Sequence, residues 1–168
     1  MSIGKLVQIG RTEASSSPSV LTVTGIASAD VHLLLYRNCV PSSDDRLGIR
    51  VTKSGSVQSD SNYDNGRKGM PSISSFQNNF DSNDSKILLG TTESTGSGAF
   101  GMMFLYKFND PEFSYISFES SMWASTPAQF GEVGAGCHTV ASGSDGISFF
   151  YNGGSTFSSG EMILYKVL

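Results

Sequence analysis

The sequence predicts an all-β protein, an antiparallel two-sheet sandwich of jelly-roll type with about ten short strands and no significant helix. Three observations predict it. β-Branched and aromatic residues recur with a period of two, in runs of strand length. Clusters of Gly, Ser, Asn and Asp bound those runs and supply tight or left-handed turns. Charged residues make up only 15% of the chain against about 25% in an average protein, and the deficit is filled by 19 glycines and by many Ser and Asn. A closed barrel is the alternative arrangement of the same strands.

Taken in order, the first runs are KLVQIG (5–10), VLTVTGI (20–26), VHLLLYRNC (31–39) and LGIRVTKS (47–54). The last places Leu47, Ile49 and Val51 on one side and Arg50 and Thr52 on the other, so one face is to be buried. The second half supplies KILLGTT (86–92), AFGMMFLYKF (99–108), FSYISFESS (113–121), VGAGCHTVA (133–141), GISFFYN (146–152) and EMILYKVL (161–168). HLLLY and MMFLY are apolar on consecutive residues, which suits strands covered on both faces or lying at a subunit contact. Pro41 to Asp45, Asp110-Pro111, Ser144-Asp145-Gly146 and Asn152-Gly153-Gly154 read as turns.

Between about residues 55 and 85 the alternation dissolves into a polar stretch, read as either a long functional loop or a weakly paired edge, ordered rather than a linker, within a single domain spanning residues 1–168. Tyr63, Met70, Phe76 and Phe80 punctuate it. Aromatics in a polar excursion gain most when buried at an interface, so Tyr63, Phe76 and Phe80 are the expected partner contacts.

A net charge of −4, with 11 scattered Lys and Arg, does not suit a general nucleic-acid binder. No apolar run reaches the roughly 18 residues that span a bilayer, and the opening MSIGKLVQIG lacks the pattern of a signal peptide. Cys39 and Cys137 fit neither a zinc spacing nor a small disulfide scaffold; two buried thiols is the simpler reading, with a disulfide between neighbouring strands left open.

Motifs that suggest chemistry have plainer explanations. GSGAFG (96–101) has the G-x-G-x-x-G spacing but runs into a strand rather than opening a helix, so it reads as a turn. DSNYDNG (60–66) departs from a calcium loop in its glycine position and in Pro71, and Asx-turns account for Asp60, Asn62, Asp64, Asp81, Asn83 and Asp84, so no metal is assigned. His32 and His138 fall inside strands, where an outward or hydrogen-bonded imidazole is ordinary. Glu13, Glu93, Glu112, Glu119, Glu132 and Glu161 are carboxylates whose separations sequence does not fix. Trp123 reads as core or subunit-contact packing, with stacking on a sugar as the alternative. No cofactor and no catalytic group is expected.

The segment FYNGGSTFSSGEMILYKVL (150–168), with its small polar turn, S-G step and LYK ending, resembles a group of virion proteins of tailed bacteriophages infecting marine bacteria and cyanobacteria. LTVTGIASADVHLLLYRNCVPSSDDRLGIRVTKSG (21–55) with Ser61 to Tyr63, and the opening SIGKLVQI (2–9), resemble them too. Lys166 stands where that group often has glycine, and residues 65–145 carry no match. The resemblance implies a structural component of a phage particle, either decorating the capsid or forming part of a tail or head fibre. As a single module, the chain fits a capsid-decorating or cement protein, trimeric and seated on the major capsid protein, made in the host cytoplasm and carried on the virion. The alternative is a receptor-binding fibre protein that contacts a host surface glycan; a carbohydrate-binding or hydrolytic module outside any virion is the third class.

Overall fold

A computed structural model describes residues 4–28, 30–125 and 128–168. The first four strands are β1 (Leu6–Glu13), β2 (Val20–Thr24), β3 (His32–Pro41) and β4 (Asp45–Lys53). They are followed by β5 (Ser56–Val57), β6 (Tyr63–Pro71), β7 (Gln77–Asp84), β8 (Ile87–Thr92) and β9 (Ala99–Tyr106). The chain closes with β10 (Ser114–Ser125), β11 (Ala128–His138), β12 (Gly146–Tyr151) and β13 (Phe157–Val167). All pairings are antiparallel. One sheet runs β1-β13-β3-β9-β10-β11-β6-β7 and the other β2-β12-β4, with β5 and β8 dividing the far edge of β4 between them.

The expected two-sheet sandwich is therefore the fold, and each of the ten expected runs lies on a strand. The strands outnumber the expectation because the supposed loop at 55–85 is itself structured: β5, β6 and β7 occupy most of it, and β6 and β7 complete the large sheet as a hairpin. Their backbone groups are paired as a ladder even though their side chains are polar, and the ladder needs only N–H and C=O groups.

The core lies between the sheets and is filled by alternate residues of each strand. From the small sheet come Leu21, Val23, Leu47, Ile49, Val51, Ile147 and Phe149; from the large sheet come Leu34, Tyr36, Met103, Leu105, Ile116, Phe118, Met162 and Leu164. Tyr36 and Phe149 meet edge to face across the interlayer space, 5.1 Å between centroids at 82°. The alternation read at Leu47, Ile49 and Val51 is thus the small sheet's inward face, and all three are fully buried.

Predicted turns carry specific chemistry. Asp145 accepts hydrogen bonds from Thr52 Oγ1 (2.6 Å) and Gly55 N (2.8 Å), tying the β11–β12 connection to the end of β4. Asp45 accepts from Gly153 N (2.8 Å) and Ser155 N (3.2 Å), and Gly154 takes the left-handed conformation that turn requires (φ +92°).

Candidate functional site

The two faces of the large sheet differ in kind. Its inner face is core; its outer face carries a group of apolar side chains that no other element covers among the described residues. Register aligns Tyr165, Leu33, Phe104, Ser117, Ala135, Gly66 and Phe80 in one row across seven strands. The adjacent row is Ile163, Leu35, Met102, Glu119, Val133, Lys68 and Asn78. Phe100, Phe104, Tyr106, Tyr115, Trp123 and Val133 on this side are all exposed. Phe104 and Tyr106, two residues apart on β9, stack at 6.3 Å. Scattered exposed apolar residues are ordinary, but here the exposed aromatics gather on β9 and β10, with Ser117, Ala135 and Gly66 between them and Phe80.

The residues expected at a partner contact divide. Phe80 is 84% exposed and stands at the β7 end of the first row. Phe76, 65% exposed, lies at the same margin with Lys68 Nζ 5.0 Å from its ring centre. Tyr63 is a correction: it is 0% exposed, its ring packs 4.8 Å from His138, and its hydroxyl accepts from Val51 N (3.1 Å) and donates to Gln58 O (2.8 Å). Burial pushes that phenol up to about 12. Tyr63 starts β6 with its side chain inward, so it joins the two sheets and presents nothing to a partner. Trp123, outward on β10, extends the exposed group.

Charged side chains gather in two places. On β1, β3 and β13, Glu161 is bonded by Arg37 and by Arg11 (Nε to Oε1 2.6 Å), and Arg11 also reaches Glu13. The hydrogen bond from Arg37, then that from Arg11, hold Glu161 below the usual carboxylate range. Glu13 and Glu161 are cross-strand neighbours, yet an acid–base pair for glycoside cleavage needs one carboxyl raised, and this pair sits among guanidiniums.

The second cluster lies in a cleft of about 440 Å³ between the sheets, lined by Arg46 on β4, Gly90 and Thr91 on β8, Arg67 on β6, Gln77 and Asn79 on β7, and Phe130 and Glu132 on β11. It exists because the large sheet is wider than the small one. β6 and β7 project past β8, so their inward positions face open space. Glu132 is 1% exposed; it receives Arg67 Nε at 2.8 Å and Gly90 N at 3.0 Å. Burial raises the Glu132 pKa, opposed by Arg67, Gly90 N and Arg46. Arg67 Nη1 also bonds Asn65 (3.1 Å) and Asp81 (3.4 Å). Nothing in the sequence sets Glu132 apart from Glu13, Glu93, Glu112, Glu119 and Glu161; its burial and its pairing with Arg67 do.

His32 and His138 are likewise corrected. Both are buried and inward; among the described residues neither ring nitrogen of His32, nor Nδ1 of His138, has a hydrogen-bond partner. Burial lowers both imidazole pKa values. Three of the acidic residues near 60–84 are engaged with protein: Asp64 accepts from Asn83 N (2.8 Å), Asp81 from Arg67 Nη1 (3.4 Å), and Asp84 from Ser85 N (2.6 Å) and Lys86 Nζ (3.1 Å). GSGAFG forms the turn into β9, with Gly98 left-handed (φ +79°) and Gly101 already inside the strand.

Cys39 and Cys137 are free thiols. Cys39 is buried and its pKa is pushed up to about 12 by burial; Cys137 points to the outer face, half-buried. A thiol-specific disulfide reagent at neutral pH is expected to modify Cys137 first and Cys39 only with unfolding. Equal rates at the two sites would show that β3 opens in the native state.

Comparison of the chain with protein-family models, with curated proteins and with solved structures finds no match.

Proposed function

We propose that the protein is a non-enzymatic structural component of a bacteriophage particle, a capsid-decorating or cement protein that assembles as a trimer and sits on the outside of the shell. The observation that carries this reading is the uncovered aromatic and aliphatic group on the outer face of the large sheet. Burying such a group yields roughly 25 cal/mol for each Å² of apolar surface removed from water, and a cyclic assembly reuses one patch in every copy. The resemblance of residues 150–168 to phage virion proteins supports the same reading. That signature forms β13, whose Met162 and Leu164 are core and whose Tyr165 joins the outer group.

The alternative, a tail or head fibre protein that contacts the host, uses the same fold with a different partner. Purified protein is to be mixed with particles lacking it and with host envelopes, then sedimented. Binding to shells in many copies, lost in a Phe104→Glu/Val133→Glu variant that melts like the parent, is the expected result. Binding to envelopes, or in only a few copies per particle, would replace decoration by adsorption. Phe76→Ser/Phe80→Ser tests the margin of the group and is expected to weaken the same association.

A further inference from the structure

The cleft between the sheets holds more cationic hydrogen-bonding capacity than the protein itself uses. Arg67 is satisfied: Glu132, Asn65 and Asp81 take its donors. Arg46 is not. Its Nε donates to Leu89 O (3.0 Å), and among the described residues no carboxylate lies within salt-bridge distance of its guanidinium. The two guanidiniums line one space; Arg46 is partly desolvated there, repelled by Arg67 and attracted at longer range by Glu132, Asp81 and Asp84. A guanidinium offers a planar fork of donors that matches a carboxylate two bonds at a time, and its Nη groups are the free ones here.

The rest of the wall narrows the chemistry. Gln77 and Asn79 come from the inward face of β7, and Thr91 from β8; amides and a hydroxyl of this kind both donate and accept. Phe130 supplies an apolar surface, its ring seated over Gly69 and Gly90, where any added Cβ would collide with it. The cleft volume is within the roughly 300–1,000 Å³ of small-molecule sites. One cation without an ion-pair partner, side chains that both donate and accept, and apolar walls from Phe130, Pro71 and Ile73 match a single negative charge on a hydroxyl-bearing ring.

We infer that this cleft binds a hydroxylated carboxylate of the uronic-acid class, its carboxylate on Arg46 and its hydroxyls on Gln77, Asn79 and Thr91. The buried Arg67–Glu132 pair is the rigid floor that keeps Arg46 and β7 at their spacing. This inference is independent of the assembly reading, because the cleft opens between the sheets and the apolar group lies on the far side of the large one.

The full chain is titrated with glucuronate, glucose, acetate and inorganic phosphate while backbone amide resonances are followed. Glucuronate is expected to bind saturably at millimolar concentration, shifting the amides of Gln77, Asn79 and Thr91, with glucose and acetate each weaker by about tenfold or more. Arg46→Gln is expected to reduce glucuronate affinity by about tenfold, and the exposed-rim variant Gln77→Ala by several-fold, at unchanged melting temperature. Glucose binding as well as glucuronate, phosphate competing on equal terms, shifts confined to other residues, or affinity indifferent to both substitutions would each overturn the assignment. So would the absence of saturable binding.

Discussion

Replacing Arg67 by methionine is expected to destabilise the protein by about 3–5 kcal/mol near neutral pH, because it leaves Glu132 as an uncompensated charge in the interior. The partner side chains are 4% and 1% exposed, so cleft water replaces the lost guanidinium only in part. The loss has a pH signature. Burial already raises the Glu132 pKa above its unfolded value, and without Arg67 it must rise further. Parent and variant both hold that proton more tightly folded than unfolded, the variant more so; the gap between them widens as pH rises above the parent's own raised Glu132 value and narrows as pH falls toward it. Urea unfolding of parent and variant at about pH 8 and about pH 5 measures both effects. A gap that does not narrow at the lower pH would mean that Glu132 is not the stranded charge. Arg67→Met combined with Glu132→Gln is expected to recover most of the stability, since a neutral acceptor for Gly90 N remains.

Phe149→Ala is expected to cost about 3–5 kcal/mol, the loss of a large buried ring together with the cavity it leaves. Phe149 is fully buried on the central strand of the small sheet and meets Tyr36 of the large one, so its removal opens a gap between layers that neither sheet can close by a small shift. Its neighbour Phe150 points the other way, beneath the Arg50 guanidinium at 4.2 Å, and Phe150→Ala is expected to cost much less. Equilibrium denaturation of both variants tests the pair; equal losses would mean that the inward and outward assignments on β12 are wrong.

The sandwich was legible because its strands are apolar where they face the core. Leu47-x-Ile49-x-Val51 announces its own inward face, whereas HLLLY on β3 is apolar on both sides and only its register shows Leu34 and Tyr36 to be the inward pair. The hairpin of β6 and β7 was illegible for the same physical reason reversed. Past Tyr63, which is core, its inward residues are Asn65, Arg67 and Gly69, followed by Asn79 and Asp81, gathered about an ion pair and a cleft. The alternation is present in those residues, but written in polar side chains that a hydrophobic pattern does not detect. Glu132 and Arg67 were both visible as charges. Their partnership depends on the antiparallel register of β11 with β6, in which Arg67 faces Gly134, and a shift of one residue would have turned Glu132 to the outer face.

The margins of the large sheet constrain how copies of this protein associate. At one side stands β7, carrying Asn78, Asn79, Asp81, Ser82, Asn83 and Asp84, with a register break against β6 and Asn83 in a left-handed conformation. At the other stands β1, bulged between Gln8 and Gly10 where its backbone closes on Thr24 of β2. Neither margin offers the straight, apolar ladder along which a further strand would add. Growth by strand addition, which has no natural end, is therefore discouraged at both sides, while the outer face invites stacking. An assembly held by self-complementary faces can close, so edges that refuse partners are compatible with the closed assembly proposed above.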